Sequence, residues 1–304
     1  MFDITIIIPT YNRSTLVGQA IKSVLSQSYD AFQLLVLDDY SSDDTCEVVS
    51  SLKDSRIQYI RHKCHIGFTA NWTYGVKLAA GKYLCILGDD DYYDQNYLIN
   101  RLELFHKYPA AVAVTGAFRC IDKENRFIRN SKVPCNSVQT FTGQKLIKLL
   151  LGYTGEWFNG ATLYKRELID LCWDSAIRAG TALDLAVHIQ LSLIDESLVV
   201  FRPEPEMNLR VHPEQESVSN GLYLAECAAI LALYLWNFEP RIRKTEYINL
   251  FRNCFTKDIN HFGRMLWYQG RRREAQAAFL TELRIDPFRF KTWLRYIRCL
   301  LLSS

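Results

Sequence analysis

Residues 4–8, Ile-Thr-Ile-Ile-Ile, form an unbroken run of β-branched side chains that Pro9 brings to a stop. A run apolar on both faces fits a strand covered on both sides, and such strands belong to parallel sheets flanked by helices. From residue 14 to 27 the apolar positions Leu16, Val17, Ala20, Ile21, Val24 and Leu25 recur at helical spacing, with Ser14 or Thr15 as the expected cap. The unit then repeats: strand over 33–38, helix over 43–52 capped by acidic residues, strand over 56–61, helix over 69–79, strand over 82–87, and helix over 95–108. Alternation at this spacing predicts an α/β fold with a doubly wound, mostly parallel sheet and right-handed crossovers.

The pattern loosens after residue 110. The sequence predicts a strand near 111–121, a polar loop to 140, a helix over 143–151, a short strand at 161–165, a helix over 183–193 and a strand over 198–202. Beyond the turn at Pro213 the chain reads as wholly helical. The expected organisation is one domain over 1–218, with a nucleotide-binding half (1–110) and an acceptor-binding half (111–218), and an all-helical C-terminal region over 219–304. Within that region, residues 270–287 resemble a single tetratricopeptide unit without a second copy, which suggests a helical appendage.

Composition narrows the function. The 304 residues carry a net charge of +3 and are 49% hydrophobic, which excludes a disordered chain and gives no sign of a nucleic-acid partner. Nine cysteines lie scattered without a Cys-x-x-Cys pair, which favours free thiols in a reducing compartment and a cytoplasmic location. The N-terminus lacks a basic leader, and no segment reaches membrane-spanning length.

In open α/β sheets ligands bind beyond the carboxyl ends of the strands. Here the expected strand ends read Pro9-Thr10-Tyr11-Asn12-Arg13, Asp38-Asp39-Tyr40-Ser41 and Gly88-Asp89-Asp90-Asp91. Neither a Gly-x-Gly-x-x-Gly turn nor a Walker-type loop is present. Three successive carboxylates after a buried strand repel one another unless a cation sits among them, and hard oxygen ligands point to Mg²⁺ or Mn²⁺ bound together with a ligand's diphosphate. Helix capping explains one such carboxylate, not three.

These motifs, with Gly67, Asn71 and Ala80-Gly81-Lys82-Tyr83 in the same order and spacing, resemble glycosyltransferase family 2, the inverting sugar transferases of the GT-A fold. The resemblance implies transfer of a sugar from a nucleoside-diphosphate sugar, with UDP the expected nucleotide, to a saccharide or lipid-linked saccharide acceptor of the kind assembled into bacterial surface polysaccharides. It places Pro9, Thr10, Tyr11, Arg13, Asp39 and Asn71 around the nucleotide, with Asp38 beside Asp39, and Arg61 or Lys63 either near the phosphates or on the solvated surface. The family's metal motif, Asp-x-Asp, falls on Gly88-Asp89-Asp90. Asp90 then takes the metal role, Asp89 approaches the ribose or donor sugar, and Asp91 supports Asp90 or reaches the acceptor side. Asp184, opening a helix, matches the family's catalytic base, and His212 matches a histidine near the metal and diphosphate. Glu156 and Trp157, followed by Phe158, occupy the acceptor region, although a tryptophan there also suits a core.

Two other readings remain open at this point: a degenerate transferase domain acting as a scaffold, suggested by Gly88 and the helical tail, and a nucleotidyltransferase using a similar metal site. The terminal run over 287–302 interleaves aromatic and basic residues. It therefore fits either a helix lying in a membrane interface, giving a peripheral membrane contact, or one packed back on its neighbours.

Overall fold

The computed structural model describes residues 3–152, 159–194, 197–212, 230–231, 235 and 247–302, and the structural statements below concern these residues. The chain divides into two compact units, Met1–Ile177 with Leu183–His212, and Arg178–Ala182 with Pro213–Ser304.

In chain order the first unit contains β1 (Ile4–Thr10), α1 (Ser14–Leu25), β2 (Phe32–Asp38), α2 (Thr45–Ser51), β3 (Ile57–Arg61), α3 (Phe68–Leu78), β4 (Tyr83–Ile86), β5 (Tyr92–Tyr93) and α4 (Tyr97–Lys107). It continues with β6 (Ala111–Gly116), β7 (Arg119–Ile121), β8 (Phe127–Asn130), β9 (Gln139–Thr142), α5 (Gly143–Gly152), β10 (Leu163–Lys165), α6 (Arg166–Ala176), α7 (Leu183–Ser192), β11 (Leu198–Arg202) and β12 (Met207–Arg210). Eight strands form a central sheet in the order β3-β2-β1-β4-β10-β6-β11-β9, and β5-β12-β7-β8 form a smaller one.

The continuous apolar strands account for the parallel part. Ile4, Ile6 and Ile8 are fully buried in one core with Val17, Ala20, Ile21 and Val24 of α1. Ile7 points the other way, toward α3, where a Cβ at Gly75 would approach its Cγ2 to 2.9 Å. Each such buried side chain contributes roughly 1.5–3 kcal/mol.

The sheet is parallel through β3, β2, β1 and β4. It then reverses, because β10 runs antiparallel to both β4 and β6. The single strand expected over 111–121 is two, β6 and β7, assigned to different sheets with Ala117 and Phe118 between them. Helix α6 was not expected from the sequence, although its buried residues Ile169, Cys172, Trp173 and Ala176 have helical spacing.

The second unit contains α8 (Tyr247–Tyr268), α9 (Arg272–Ile285) and α10 (Phe290–Leu302). Its interior includes a buried charge, Glu282, which accepts from Asn260 Nδ2 at 2.7 Å and pairs with Arg289 at 2.8 Å. Among the described residues, cysteines 46, 64, 85, 120, 135, 172 and 299 form no disulfide, and no helix is long and apolar enough to cross a membrane.

Candidate functional site

Strand β1 stays in register with β2 as far as Thr10 opposite Asp38, but its register with β4 ends at Ile7 opposite Ile86. Beyond that point β1 and β4 part, and Pro9, which has no N–H to offer a ladder, sits in the parted stretch. The strand order reverses here, which is where an open α/β sheet leaves a crevice for a ligand.

The loops after β1 and β2 form one wall. Asn12 and Tyr40 hold left-handed backbone, with φ of 52° and 70°, an uncommon state for residues other than glycine that tends to cluster at binding sites. The loops are fastened together: Asn12 N donates to Ser41 Oγ (2.9 Å), and Ser42 N donates to Asn12 Oδ1 (2.7 Å). Asp43 receives Ser14 N at 2.9 Å and the Thr45 hydroxyl at 2.6 Å, so it tethers the first turns of both α1 and α2. This corrects the expectation that Ser14 or Thr15 caps α1, since no side-chain cap comes from the helix start itself. Burial opposes the ionisation of Asp43, but the hydrogen bonds from Thr45 and Ser14 outweigh it and lower its pKa.

On the same wall, Asp38 is fully buried and accepts Ser41 N at 2.7 Å and the Tyr59 hydroxyl at 2.5 Å, with Arg61 Nε at 3.7 Å. Asp39 accepts the backbone N–H groups of Ile66 (2.6 Å) and Gly67 (2.8 Å) and lies 3.0 Å from His65 Nδ1. The ring of His65 lies against Tyr11, with ring centres 4.3 Å apart and planes tilted by 35°, and Tyr11 is 45% exposed. Asn71 is buried, donating to Leu37 O and contacting His62 Nε2, each at 3.0 Å. No sequence motif marks His62 or His65. The signal available was their position, in the first residues after β3.

The other wall follows β4. Gly88 is tightly enclosed, because a Cβ there would lie 2.9 Å from Asp91 Oδ2 and 3.0 Å from Asp90 Oδ1. Asp89 is half-buried, and burial together with the adjacent Asp90 charge pushes its carboxyl up to about 7. Asp90 Oδ2 lies 3.1 Å from His212 Nε2 and 3.9 Å from Arg13 Nη1, and Arg13 Nη1 is 3.2 Å from the same imidazole nitrogen. Asp91 is buried and accepts Arg210 N at 2.9 Å; burial and then Asp90 hold it well above the usual carboxylate range.

Arg210 was also missed. Its guanidinium donates to Asp90 O (2.9 Å), to the carbonyls of Asp122 and Lys123 (3.1 Å each) and to Gln19 Oε1 and Asn125 Oδ1 (2.8 Å each). It thereby fixes the backbone of the acidic loop from the far end of the unit.

Asp184 opens α7 and accepts Leu185 N at 2.7 Å, and burial raises its pKa. One turn later His188 lies in a buried polar chain: its Nε2 is 2.8 Å from the Tyr164 hydroxyl, which donates to Asn159 Oδ1 at 2.5 Å. Tyr164 stands opposite Leu84, and the antiparallel register sets the start of β10 beside the end of β4. Gly160 O there receives the Tyr93 hydroxyl at 2.7 Å. The expected acceptor residues Glu156 and Trp157, with Phe158, lie outside the described residues.

Among the described residues, no group of three or more His, Cys, Asp and Glu side chains is disposed to hold a metal ion. Asp90 and His212 supply two adjacent donors, one oxygen and one nitrogen. That set fits an ion that keeps waters and takes the rest of its shell from a ligand's phosphates, as Mg²⁺ does, and does not fit an all-protein cage.

The family model described as Glycosyl transferase family 2 matches residues 5–172. A glycosyltransferase of Rickettsia bellii is 33% identical over 128 residues, covering 42% of this chain and 18% of that protein. The Escherichia coli UDP-Glc:alpha-D-GlcNAc-diphosphoundecaprenol beta-1,3-glucosyltransferase WfaP is 32% identical over 99 residues, 33% of this chain and 39% of that one. The chain spans about a fifth of the length of the first curated relatives it matches. Among solved structures, Staphylococcus aureus TarS 1–349 in complex with UDP superposes with a TM-score of 0.69 at 15% identity, covering 98% of this chain and 89% of that one, which shows a shared fold.

Proposed function

Because the chain belongs to glycosyl transferase family 2, we propose that it is an inverting glycosyltransferase that moves a sugar from a UDP-sugar to a hydroxyl of a lipid-linked saccharide. The observation that carries this reading is the group formed by Asp90, His212 and Arg13 at the crevice between β1 and β4. It brings a carboxylate, an imidazole and a guanidinium to the place where an α/β sheet receives a diphosphate. The choice of nucleotide and acceptor follows from what the relatives and the structural neighbour bind by name: UDP for TarS, and a diphosphoundecaprenol-linked sugar for WfaP.

In this reading Tyr11 and His65 form a stacking face for the base, with Pro9, Thr10, Asp39 and Asn71 shaping its slot. Asp90 and His212 would hold Mn²⁺ or Mg²⁺, which when bound neutralises charge on the departing diphosphate. Arg13 places a fixed cation beside the same oxygens, Asp89 faces the ribose and donor sugar, and Asp91 acts through Arg210 to position the acidic loop. Asp184 removes the acceptor hydroxyl's proton as that oxygen bonds to the anomeric carbon. The bond from that carbon to the diphosphate oxygen breaks on the opposite face, and its electron pair leaves with UDP. The upward shift at Asp184 suits a carboxylate that must accept a proton. We place the protein in the cytoplasm, at the membrane face where such carriers are exposed.

Asp184→Asn tests the assignment. It should leave UDP binding intact in calorimetry and lower sugar transfer by about 10²–10⁴-fold; undiminished transfer would remove Asp184 as the base. Gly88 and the two-donor metal set favour one further reading, a binding module that has lost catalysis. A donor screen separates the two, since UDP release in the presence of acceptor occurs only in an enzyme. Pyrophosphate released from a nucleoside triphosphate and a sugar phosphate, with no UDP released from UDP-sugars, would instead indicate a nucleotidyltransferase.

A further inference from the structure

The three-helix unit holds a basic cavity that the crevice chemistry does not use. It measures about 340 Å³ and is lined by Arg264, Trp267 and Tyr268 of α8, Phe279 of α9, and Arg295 and Arg298 of α10. Gly263 permits the close packing at its wall, because a Cβ there would come within 2.7 Å of the Phe279 ring. The Arg298 guanidinium lies 5.3 Å from the centre of the Trp267 ring, and Arg295 donates to a neutral acceptor, Asn260 Oδ1, at 2.8 Å. The nearby carboxylates Glu282 and Asp286 pair with Arg289, at 2.8 and 3.7 Å. Among the described residues, none of Arg264, Arg295 and Arg298 forms an ion pair. Three guanidiniums around one cavity repel one another unless an anion joins them, and their fork geometry matches phosphate oxygens.

Beside this cavity, α10 presents an apolar stripe. Phe290, Leu294, Ile297 and Leu301 follow at helical spacing with 45–72% exposure, and Phe288 just before the helix is 93% exposed. Trp293, Ile297 and Leu300 are each more than 40% exposed, so α10 packs on α9 and still leaves part of each of these side chains open. An exposed apolar stripe flanked by Lys291, Arg295 and Arg298 is the pattern of a helix that lies at a lipid surface.

We propose that the cavity formed by Arg264, Arg295 and Arg298 around Trp267 binds a phosphate or diphosphate group carried on a lipid, with the lipid's chain against the exposed stripe of α10. The inference rests on the acceptor reading above only in taking the phosphate to be lipid-borne. The occupied cavity would hold the chain at the surface where a lipid-linked substrate is found.

The test is co-sedimentation of the full chain with vesicles of phosphatidylcholine alone, or with added phosphatidylglycerol, or with added polyprenyl diphosphate. The parent should bind both anionic vesicles and not the neutral ones, and inorganic pyrophosphate should compete. The double variant R264Q/R298Q should lose at least about tenfold of that binding. R264K/R298K, which keeps the charge and loses the fork, should retain part of it, and R273Q/R284Q, which removes the same charge from α9, should bind as the parent does. Stronger binding to polyprenyl diphosphate assigns the cavity to the sugar carrier, and equal binding to both anionic vesicles assigns it to membrane phospholipid; either supports the proposal. Equal binding of R264Q/R298Q and the parent, equal loss in R273Q/R284Q, or binding to neutral vesicles would overturn it. UDP titration of the same proteins separates this from the crevice, since failure there appears as absent UDP binding in the parent.

Discussion

The two acidic strand ends of the first unit look alike in sequence and differ in what their carboxylates meet. After β2, Asp38, Asp39 and Asp43 face protein donors: the N–H groups of Ser41, Ile66, Gly67 and Ser14, and the hydroxyls of Tyr59 and Thr45. After β4, Asp89 and Asp91 are pushed upward by burial and by Asp90, while Asp90 itself meets an imidazole and a more distant guanidinium. Carboxylates with fixed internal donors shape a loop. Crowded carboxylates with few donors resist ionisation, and either a proton or an external cation would relieve them. Proximity to a strand end therefore does not by itself make an aspartate a ligand; the supply of donors around it does.

Substitutions at each end can break this contrast. The largest effect is expected at Asp90→Asn, which should reduce metal-dependent UDP affinity by at least about tenfold and sugar transfer by about a hundredfold or more, with an unchanged melting temperature. Unaltered metal-dependent binding would dissolve the distinction between the two ends. At the other end, Asp38→Ala leaves Ser41 N and Tyr59 without an acceptor in a buried place. It should cost about 2 kcal/mol of stability, seen as a shifted denaturant midpoint, and weaken UDP binding only in proportion to unfolding.

Gly88→Asp sharpens the comparison further. It restores the family's first carboxylate but places a Cβ where Asp90 and Asp91 already sit. Calorimetry with Mn²⁺ and UDP should therefore show weaker binding than in the parent, by less than tenfold; tighter binding would mean that the loop opens at little cost.

The smallest expected effect concerns acid. The Asp43 carboxyl is lowered in the folded state, so it adds stability above the ordinary carboxylate range, and that stability disappears as pH falls through the folded value. Denaturant melts of Asp43→Asn between pH 6 and 3 should show a deficit of about 1 kcal/mol at pH 6 from the weakened tether that narrows toward pH 3, so that the variant loses stability less steeply than the parent.

Much of the first 110 residues was legible because the parallel strands β1, β2 and β4 are buried on both faces and read as continuous apolar runs, with helices between them. β1 and α1 sit within two residues of where periodicity placed them. The second sheet was not legible, since β5, β7, β8 and β12 are two to four residues long and cannot display a period. Nor was the reversal at β10, because a three-residue strand carries no mark of its direction.

At the site, the motifs pointed to Asp90, Arg13 and His212, which the fold brings together. They gave no warning that Asp39 would lean on His65, or that a fully buried Arg210 would hold the acidic loop. Those partners come from other elements, and local spacing cannot report a contact made between distant segments.

The contact between Asp90 and His212 spans 122 positions of chain. The stretch that matches the family model ends at residue 172, whereas Arg210 and His212 close the crevice from β12. Contacts of such range form after local ones, because loop-closure entropy must be overcome before they are rewarded. The crevice is thus a late product of folding. A nascent chain that has already built its parallel sheet still lacks a finished site until its two-hundred-and-twelfth residue arrives.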